Sequence, residues 1–317
     1  MRFALDAEQR EFAASIDAAL GSADVPAAVR AWADGDTAPG RKVWERLADL
    51  GVTALAVAEE FDGLAAHPVD LMVACERLGR WCVPGPVTES IAVAPVLLAA
   101  DERSGALASG ELIATVALPP LVPWAVDADS AGLVLMAADD SITDAAAEEH
   151  LESVDPSRRL FTVAATGASQ PADVARAFEF GALATAAQLV GAGQTMLDMT
   201  VEYAKQRSQF GRLIGSYQAI KHKLADAHIA LELARPLLYG AALALAEQSP
   251  DTARDVSAAK AAAADAALLS ARASLQTHGA IGYTTEHDLS QWLLRVQALR
   301  SAWGDPTFHR HRVLEAL

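Results

Sequence analysis

The sequence contains little cysteine, little positive charge and no long apolar run. Cys75 and Cys82 are its only cysteines, so neither a disulfide framework nor a four-thiolate zinc site can form. The 25 lysines and arginines face 41 acidic residues, and the net charge of −16 argues against binding to nucleic acid or to an anionic membrane. No apolar run is long enough for a membrane span, and the first residues lack the apolar core of a signal peptide. A cytoplasmic protein is therefore expected.

The remaining composition is that of an ordinary globular protein, and it divides the 317 residues into three segments. Residues 1–98 carry apolar residues at helical spacing, with Asp6 placed to cap the first helix. Residues 99–171 contain short apolar runs separated by Pro, Gly, Asp and Ser, which indicates a small β region. Residues 172–317 are rich in alanine, and their apolar residues recur every three or four positions along four stretches. We therefore predict a mainly α fold with an N-terminal helical domain, a reduced middle β-domain and a C-terminal four-helix bundle.

Three local signals refine the C-terminal prediction. Pro236 is expected to bend or break the second bundle helix, because proline lacks a backbone donor. Residues 285–288 resemble a capping box for the fourth helix, which is expected to end near Gly304. His309 and His311 lack carboxylate or thiolate partners at a metal-binding spacing, so a solvated basic tail is predicted there and no metal site.

Two polar segments between bundle helices could hold an anionic cofactor. In residues 207–212, Arg207 presents a fork of donors suited to phosphate, Phe210 could cover a ring and Gly211 allows a close backbone approach. In residues 276–284, two glycines three apart stand before a helix N-terminus, an arrangement that can cradle a pyrophosphate. Each segment has a simpler interpretation, which is a polar connecting loop for the first and a glycine cap with a tight turn for the second.

Together and in this order, the two segments resemble motifs of the acyl-CoA dehydrogenase family. The first matches the family pattern at Arg207, Gln209, Phe210, Gly211, Ile214, Gln218, His222, Leu224, Ala225 and Asp226. The second matches at Gln276, Gly279, Gly282, Tyr283, Thr284 and Glu286, with Ala280 in place of a glycine. In the N-terminal third, residues 59–63 and 76–80 resemble two further family motifs.

The resemblance implies the three-domain fold of that family, FAD as cofactor and an acyl-CoA as substrate. It also implies an electron-transfer flavoprotein as electron acceptor, and tetramers built from dimers. In the family, the two matching segments help to hold the adenosine and pyrophosphate of FAD across a dimer interface. Carried over residue by residue, that role falls to Arg207, Gln209, Phe210, Ile214, Tyr217, Gln276 and Gly279.

The family's reaction removes an α-proton and passes the β-hydride to flavin, so it needs a carboxylate base. Trp303 stands where the family usually has this glutamate, and Gly181 stands at the alternative position on the first bundle helix. Glu179 is two residues from Gly181, which turns it about 200° around a helix. Its side chain is therefore expected to face away from the position that the base would take. Asp305 is the nearby substitute, and a helix-capping aspartate is its other interpretation.

The middle segment also departs from the family. It is short and lacks the family's flavin-proximal motif, although residues 155–159 resemble the family's entry to a strand. A reduced middle domain without a base resembles the smaller subunit of actinobacterial heterotetrameric (α2β2) acyl-CoA dehydrogenases of steroid degradation, in which a larger partner carries the glutamate. The alternatives are a self-sufficient homo-oligomeric dehydrogenase that uses Asp305, and a non-catalytic helical scaffold.

Overall fold

A computed structural model describes residues 5–284 and 286–317. The N-terminal region is helical, as predicted, and Asp6 caps its first helix: the Asp6 carboxylate accepts from the Gln9 backbone N–H at 2.8 Å. The Gln9 side chain returns the bond to the Asp6 N–H at 3.1 Å. The helices of this region are α1 (Ala7–Gly21), α2 (Val25–Ala33), α3 (Ala38–Asp49), α4 (Pro68–Arg80), α5 (Ala94–Leu97) and α6 (Arg103–Ala108). A π-helical segment, Thr88–Val93, leads into α5, and 3-10 turns lie at Val52–Ala54 and Glu59–Phe61.

The middle region forms a sheet with the strand order β1-β3-β4-β5-β2, and β6 pairs with β4. The strands are β1 (Ala114–Ala117), β2 (Ala125–Val126), β3 (Leu133–Ala138), β4 (Ser141–Leu151), β5 (Leu160–Ala165) and β6 (Gln170–Pro171). β1 and β3 run parallel, and the other neighbours pair antiparallel. The apolar runs of the sequence predicted β1, β3 and β5 but missed β4. This strand is rich in alanine and glutamate and largely exposed, so it lacks the alternation that marks a half-buried strand.

The C-terminal region contains four long helices and a shorter fifth one. They are α7 (Val174–Gln206), α8 (Gln218–Ala246), α9 (Thr252–His278), α10 (Leu289–Ser301) and α11 (Pro306–Glu315). A short hairpin, β7 (Ser208–Gln209) with β8 (Arg212–Leu213), connects α7 to α8. Helix α7 is central because it packs against α8 and α9 on one side and α4 on the other. A Cβ on Gly191 would lie 2.0 Å from the Glu76 carbonyl oxygen, so this close approach of α7 to α4 requires glycine.

Three C-terminal predictions differ from the structure in detail. Helix α8 continues through Pro236 and is not broken there, because buried residues on both sides of the proline hold it in the bundle. No capping box starts α10: its N-cap, Asp288, makes no side-chain cap bond, and the His287 ring accepts from the Leu289 N–H at 3.2 Å instead. Thr285, the first residue of the expected box, lies outside the described residues. The expected basic tail is helix α11, in which His309 is buried.

One buried guanidinium ties the three regions together. Arg295 on α10 donates to Asp155 at 2.6 Å, to Ser157 at 3.0 Å and to the carbonyl oxygen of Val83 at 2.9 Å. The sheet, the bundle and the N-terminal helices are therefore joined through a single side chain whose charge is paired. By length and composition, α8 is the one described helix that could cross a membrane, and here it packs against α7 and α9.

Candidate functional site

The turn after α7 presents the first predicted segment at one end of the bundle. Arg207 ends α7, and its carbonyl oxygen accepts from the Ile214 N–H at 2.8 Å, which closes the hairpin. Phe210 and Gly211 have left-handed φ angles of 52° and 80° and form the hairpin turn. The Phe210 ring is 92% exposed at its tip. An aromatic ring held out in this way is available to a ligand or to a neighbouring chain.

The hairpin is held by contacts among its own residues. The Arg212 guanidinium lies over the Tyr217 ring, 3.8 Å from its centroid. The Tyr217 hydroxyl donates to the Gln209 carbonyl oxygen at 3.2 Å. A Cβ on Gly215 would lie 2.9 Å from the Ala204 carbonyl oxygen, so the chain returns along α7 only because residue 215 is glycine. Gln209 and Tyr217 therefore shape the loop that carries Phe210.

The second predicted segment lies at the same end of the bundle. Lys223 on α8 donates to the Gln276 side chain on α9, and the Tyr203 ring on α7 stacks on the His278 ring with centroids 4.3 Å apart. Gly279 follows with φ of +68°, and a Cβ placed on it would meet no atom within 4 Å. The backbone at Gly279 is therefore open to a close approach. The structure thus brings all seven predicted cofactor-binding residues to one end of the bundle.

His278 is a feature of this end that motif matching did not identify. Its Nδ1 lies 2.9 Å from the Ser274 carbonyl oxygen, and its ring also meets the His287 ring edge-on at 5.1 Å. Within residues 5–284 and 286–317, its Nε2 has no hydrogen-bond partner. Burial lowers the pKa of His278, so the ring is neutral at pH 7. His278 stands out only in the structure, because its contact with Tyr203 arises from the packing of α7 against α9. No local sequence pattern indicates such a contact.

Cationic side chains lie at this end of the bundle. Arg207, Arg212 and Lys223 lie here, although the net charge of the protein is −16. The Arg207 guanidinium is exposed and makes no ion pair or hydrogen bond with any residue that the structure describes. Such a guanidinium is suited to a phosphate, which it can bind with two parallel hydrogen bonds. The arrangement fits the diphosphate end of a dinucleotide.

The two positions expected for a catalytic carboxylate lie against each other. A Cβ on Gly181 would lie 2.4 Å from Cε3 of Trp303, so the buried indole fills the space next to α7. The Trp303 Nε1 donates to Oε1 of Glu89 at 3.0 Å. Trp303 itself has a left-handed φ of 55°, and its carbonyl oxygen lies 2.8 Å from Nε2 of His309. The indole is therefore fixed where the resemblance leads us to expect an acidic side chain.

Asp305 and Glu179, the two acids considered from the sequence, are both engaged outside this space. Asp305 is exposed and caps α11, where its carboxylate accepts from the Phe308 N–H at 2.8 Å. Glu179 forms an ion pair with Arg312 on α11. Buried Lys260 donates to the Gly304 carbonyl oxygen at 3.0 Å and to two carbonyl oxygens at the end of α10, which holds the intervening segment.

Comparisons with known proteins agree with this architecture. Residues 6–104 match the acyl-CoA dehydrogenase N-terminal domain, and residues 172–317 match the acyl-CoA dehydrogenase C-terminal domain. The chain is 32% identical over 307 residues to acyl-CoA dehydrogenase IpdE2 of Mycolicibacterium smegmatis, covering 94% of this chain and 96% of that protein. The chain belongs to the acyl-CoA dehydrogenase family. It is therefore a member of a family of flavin-dependent oxidoreductases that act on CH–CH bonds.

Two solved structures share the fold. The ChsE4–ChsE5 complex from Mycobacterium tuberculosis superposes with a TM-score of 0.84 at 22% identity, covering 99% of this chain and 98% of that chain. A Tcur3481–Tcur3483 steroid acyl-CoA dehydrogenase variant gives a TM-score of 0.84 at 21% identity, covering 97% of each chain. These likenesses confirm the predicted fold, with an N-terminal helical domain, a middle β region and a C-terminal helical domain.

Proposed function

We propose that this chain is the smaller subunit of an α2β2 acyl-CoA dehydrogenase in the cytoplasm. The complete enzyme desaturates a bulky, steroid-derived acyl-CoA thioester between Cα and Cβ, and a larger partner subunit supplies the glutamate that removes the α-proton. Electrons then pass to an electron-transfer flavoprotein. The observation that carries this proposal is the Trp303 indole against Gly181, because it occupies both places where the family keeps its base.

Two relatives support the heteromeric part of the proposal. ChsE4–ChsE5 is a complex of two differently named proteins. The steroid acyl-CoA dehydrogenase Tcur3481–Tcur3483 is likewise named as a pair of proteins. Both share the fold of this chain over nearly its whole length. A similar pairing would compensate here for the missing base and for the short middle region.

This chain's residues fit the adenosine and diphosphate part of FAD, which supplies the hydride acceptor when bound. The unpaired Arg207 guanidinium would pair with a phosphate, the exposed Phe210 ring would cover a base or ribose, and Gly279 would let its backbone approach the diphosphate. Gln209, Ile214, Tyr217 and Gln276 shape and hold the two loops that carry them. This sequence lacks the family's flavin-proximal motif. The isoalloxazine half of FAD therefore has no comparable set of binding residues in this chain.

An exposed apolar stripe gives the partner a surface to bind. Ile229, Leu233 and Leu237 follow each other at intervals of four along α8, and all three are exposed. Leu269 on the adjacent α9 is exposed as well. A contiguous row of large apolar side chains on one helix is typical of a protein–protein interface. We assign this stripe to contacts between bundles in the tetramer.

Expression with and without a partner tests the proposal. The chain would be produced alone and together with a full-length acyl-CoA dehydrogenase subunit encoded in the same genome, followed by size determination, flavin absorbance and acyl-CoA oxidation. We expect FAD retention and turnover only for the complex. A flavin-loaded, active homotetramer of this chain alone would overturn the proposal. A complex that contains no flavin, or a complex whose activity is unaltered by Arg207→Ala, would support a scaffold instead.

A further inference from the structure

A cavity of about 510 Å³ lies at the end of the bundle opposite the predicted cofactor segments. The loop before α4, helix α5, the first turns of α7 and the last turn of α8 enclose it. Buried Leu71, Pro95 and Phe180 form its floor, and exposed Ala65 and Ala99 lie at its rim. A chamber that is mostly apolar, with a few polar groups, has the general character of a small-molecule site.

This cavity is separate from both regions to which the resemblance assigns a role. Arg176, which lines it, lies in the first turn of α7, whereas Arg207 follows the last turn. At a rise of 1.5 Å per residue the two are about 45 Å apart. Arg176 also precedes Gly181 by five residues, which turns it about 140° around the helix. The cavity therefore lies on a different face of α7 from the contact between Gly181 and Trp303.

The cation of this cavity is not neutralised by the described residues. The Arg176 guanidinium is half-buried and has two contacts, one long hydrogen bond of 3.5 Å to the Leu245 carbonyl oxygen and the Phe180 ring, whose centroid lies 5.2 Å away. Neither contact is with a carboxylate. An arginine has five N–H donors in a planar fork, so most of them stay free for a ligand. A planar carboxylate matches that fork with two parallel hydrogen bonds.

The two other titratable groups of the lining do not oppose an anion. The His67 Nδ1 accepts from the Val69 N–H at 3.2 Å, so the neutral ring carries its proton on Nε2 and offers a second donor. The Asp173 carboxylate accepts from the Arg176 backbone N–H at 2.9 Å and caps α7. Its charge is therefore held at a helix N-terminus, where the helix dipole stabilises it. The lining thus offers a free guanidinium and an N–H donor above an apolar floor.

We propose that this cavity binds a monocarboxylic acid with a bulky apolar body. The carboxylate pairs with Arg176, and the apolar body lies against Leu71, Pro95 and Phe180. At about 30 Å³ for each water, the cavity equals the volume of about seventeen waters, which suits a ligand of about twelve to eighteen non-hydrogen atoms. An intact acyl-CoA is far larger. The proposal concerns this chain alone and does not rest on its role as a subunit.

Three probes with the same apolar body test the ligand chemistry. 4-Phenylbutyrate carries the carboxylate, 4-phenylbutan-1-ol replaces it with a neutral hydroxyl group, and 4-phenylbutylamine replaces it with a cation. Titration calorimetry on the full chain would measure their binding. We expect the acid to bind saturably, the alcohol to bind at least tenfold more weakly, and the amine not to bind. Equal affinities for acid and alcohol, or no saturable binding of the acid, would overturn the proposal.

A charge-removing variant tests the role of the guanidinium. Arg176→Gln should lower the affinity for 4-phenylbutyrate to that for the alcohol and leave the affinity for the alcohol unchanged. Arg272→Gln, at an exposed position of α9, is the matched control and should keep the preference for the acid. Urea unfolding of both variants verifies that they fold. A preference for the acid that survives in folded Arg176→Gln would contradict the assigned ion pair.

A second pair of variants tests the location and does not depend on Arg176. Ala99→Trp places an indole at the exposed rim and should block binding of the acid. Ala100 is the next residue and is also exposed, but it does not line this cavity, so Ala100→Trp should bind as wild type does. If Arg176→Gln does not fold, this pair decides. Acid binding that is the same in both tryptophan variants would place the ligand elsewhere and overturn the proposal.

Discussion

The indole of Trp303 lies against Gly181, so closely that a Cβ on the glycine would lie 2.4 Å from Cε3 of the ring. The two residues are more than one hundred positions apart in the chain. Each occupies a position where the resemblance to acyl-CoA dehydrogenases leads us to expect a catalytic carboxylate. The substitutions are therefore complementary, since the bulky residue at one position fits only because the other has no side chain.

This relationship predicts that Trp303 is important for stability. Trp303→Ala removes a fully buried indole and its hydrogen bond to Glu89, and we expect the free energy of unfolding to fall by about 3–5 kcal/mol. Trp124 is 43% exposed, so Trp124→Ala is the matched control and should cause a much smaller loss. Urea unfolding of both variants measures the difference. Similar losses in the two would mean that the indole does not fill the space as described.

Two substitutions distinguish the two interpretations of Asp305, a helix N-cap and a catalytic base. Asn serves as an N-cap as well as Asp does, so Asp305→Asn should leave stability and turnover of the complex unchanged, whereas Asp305→Ala should lower stability by about 1 kcal/mol. The measurements are urea unfolding, FAD content and exchange of the substrate α-proton. Loss of α-proton exchange in Asp305→Asn, with FAD still bound, would identify Asp305 as the base and favour the self-sufficient enzyme.

Substitutions of Arg207 and Phe210, at the exposed end of the bundle, should change cofactor binding without changing folding. Phe210 and the Arg207 guanidinium make few contacts within the chain, so Phe210→Ala and Arg207→Ala should unfold as wild type does. In the complex with its partner, we expect each to weaken FAD retention about tenfold or more, because a phosphate or ring contact is lost. Lys42→Ala, at an exposed position of α3, is the control. Full FAD retention in both variants would separate this end of the bundle from the cofactor.

The sequence predicted much of this architecture because helices depend on local spacing and caps. Asp6 and its partner Gln9 are three residues apart, and their bonds follow from that spacing. Strand β4 could not be identified in the same way, since its exposed alanines and glutamates are ordered only by pairing with β5. The replacement of the family's usual glutamate by Trp303 was visible in the sequence, but the contact of Trp303 with Gly181 was not. Such contacts arise from the packing of distant segments, which no local pattern encodes.

The burial of His309 next to the Trp303 backbone predicts that the protein loses stability at acidic pH. His309 is buried between Ser257 and the Trp303 carbonyl oxygen, and burial lowers its pKa from 6.5 to about 4. Between these two values the unfolded chain binds a proton that the folded chain does not, so the free energy of unfolding falls as pH decreases from about 6.5 to 4. At about 1.4 kcal/mol for each pKa unit, the full effect is about 3–4 kcal/mol.

Replacing this histidine should remove that part of the pH dependence. Urea unfolding of wild type and His309→Gln at pH 7, 5 and 4 measures it, and we expect the variant to lose less stability over this range than wild type does. His311, two residues away, is exposed and pairs with Glu315, so His311→Gln is the matched control and should keep the wild-type profile. If both variants keep the same slope, the acid sensitivity arises from other groups. If only His309→Gln flattens the curve, the neutral ring beneath Trp303 is its source.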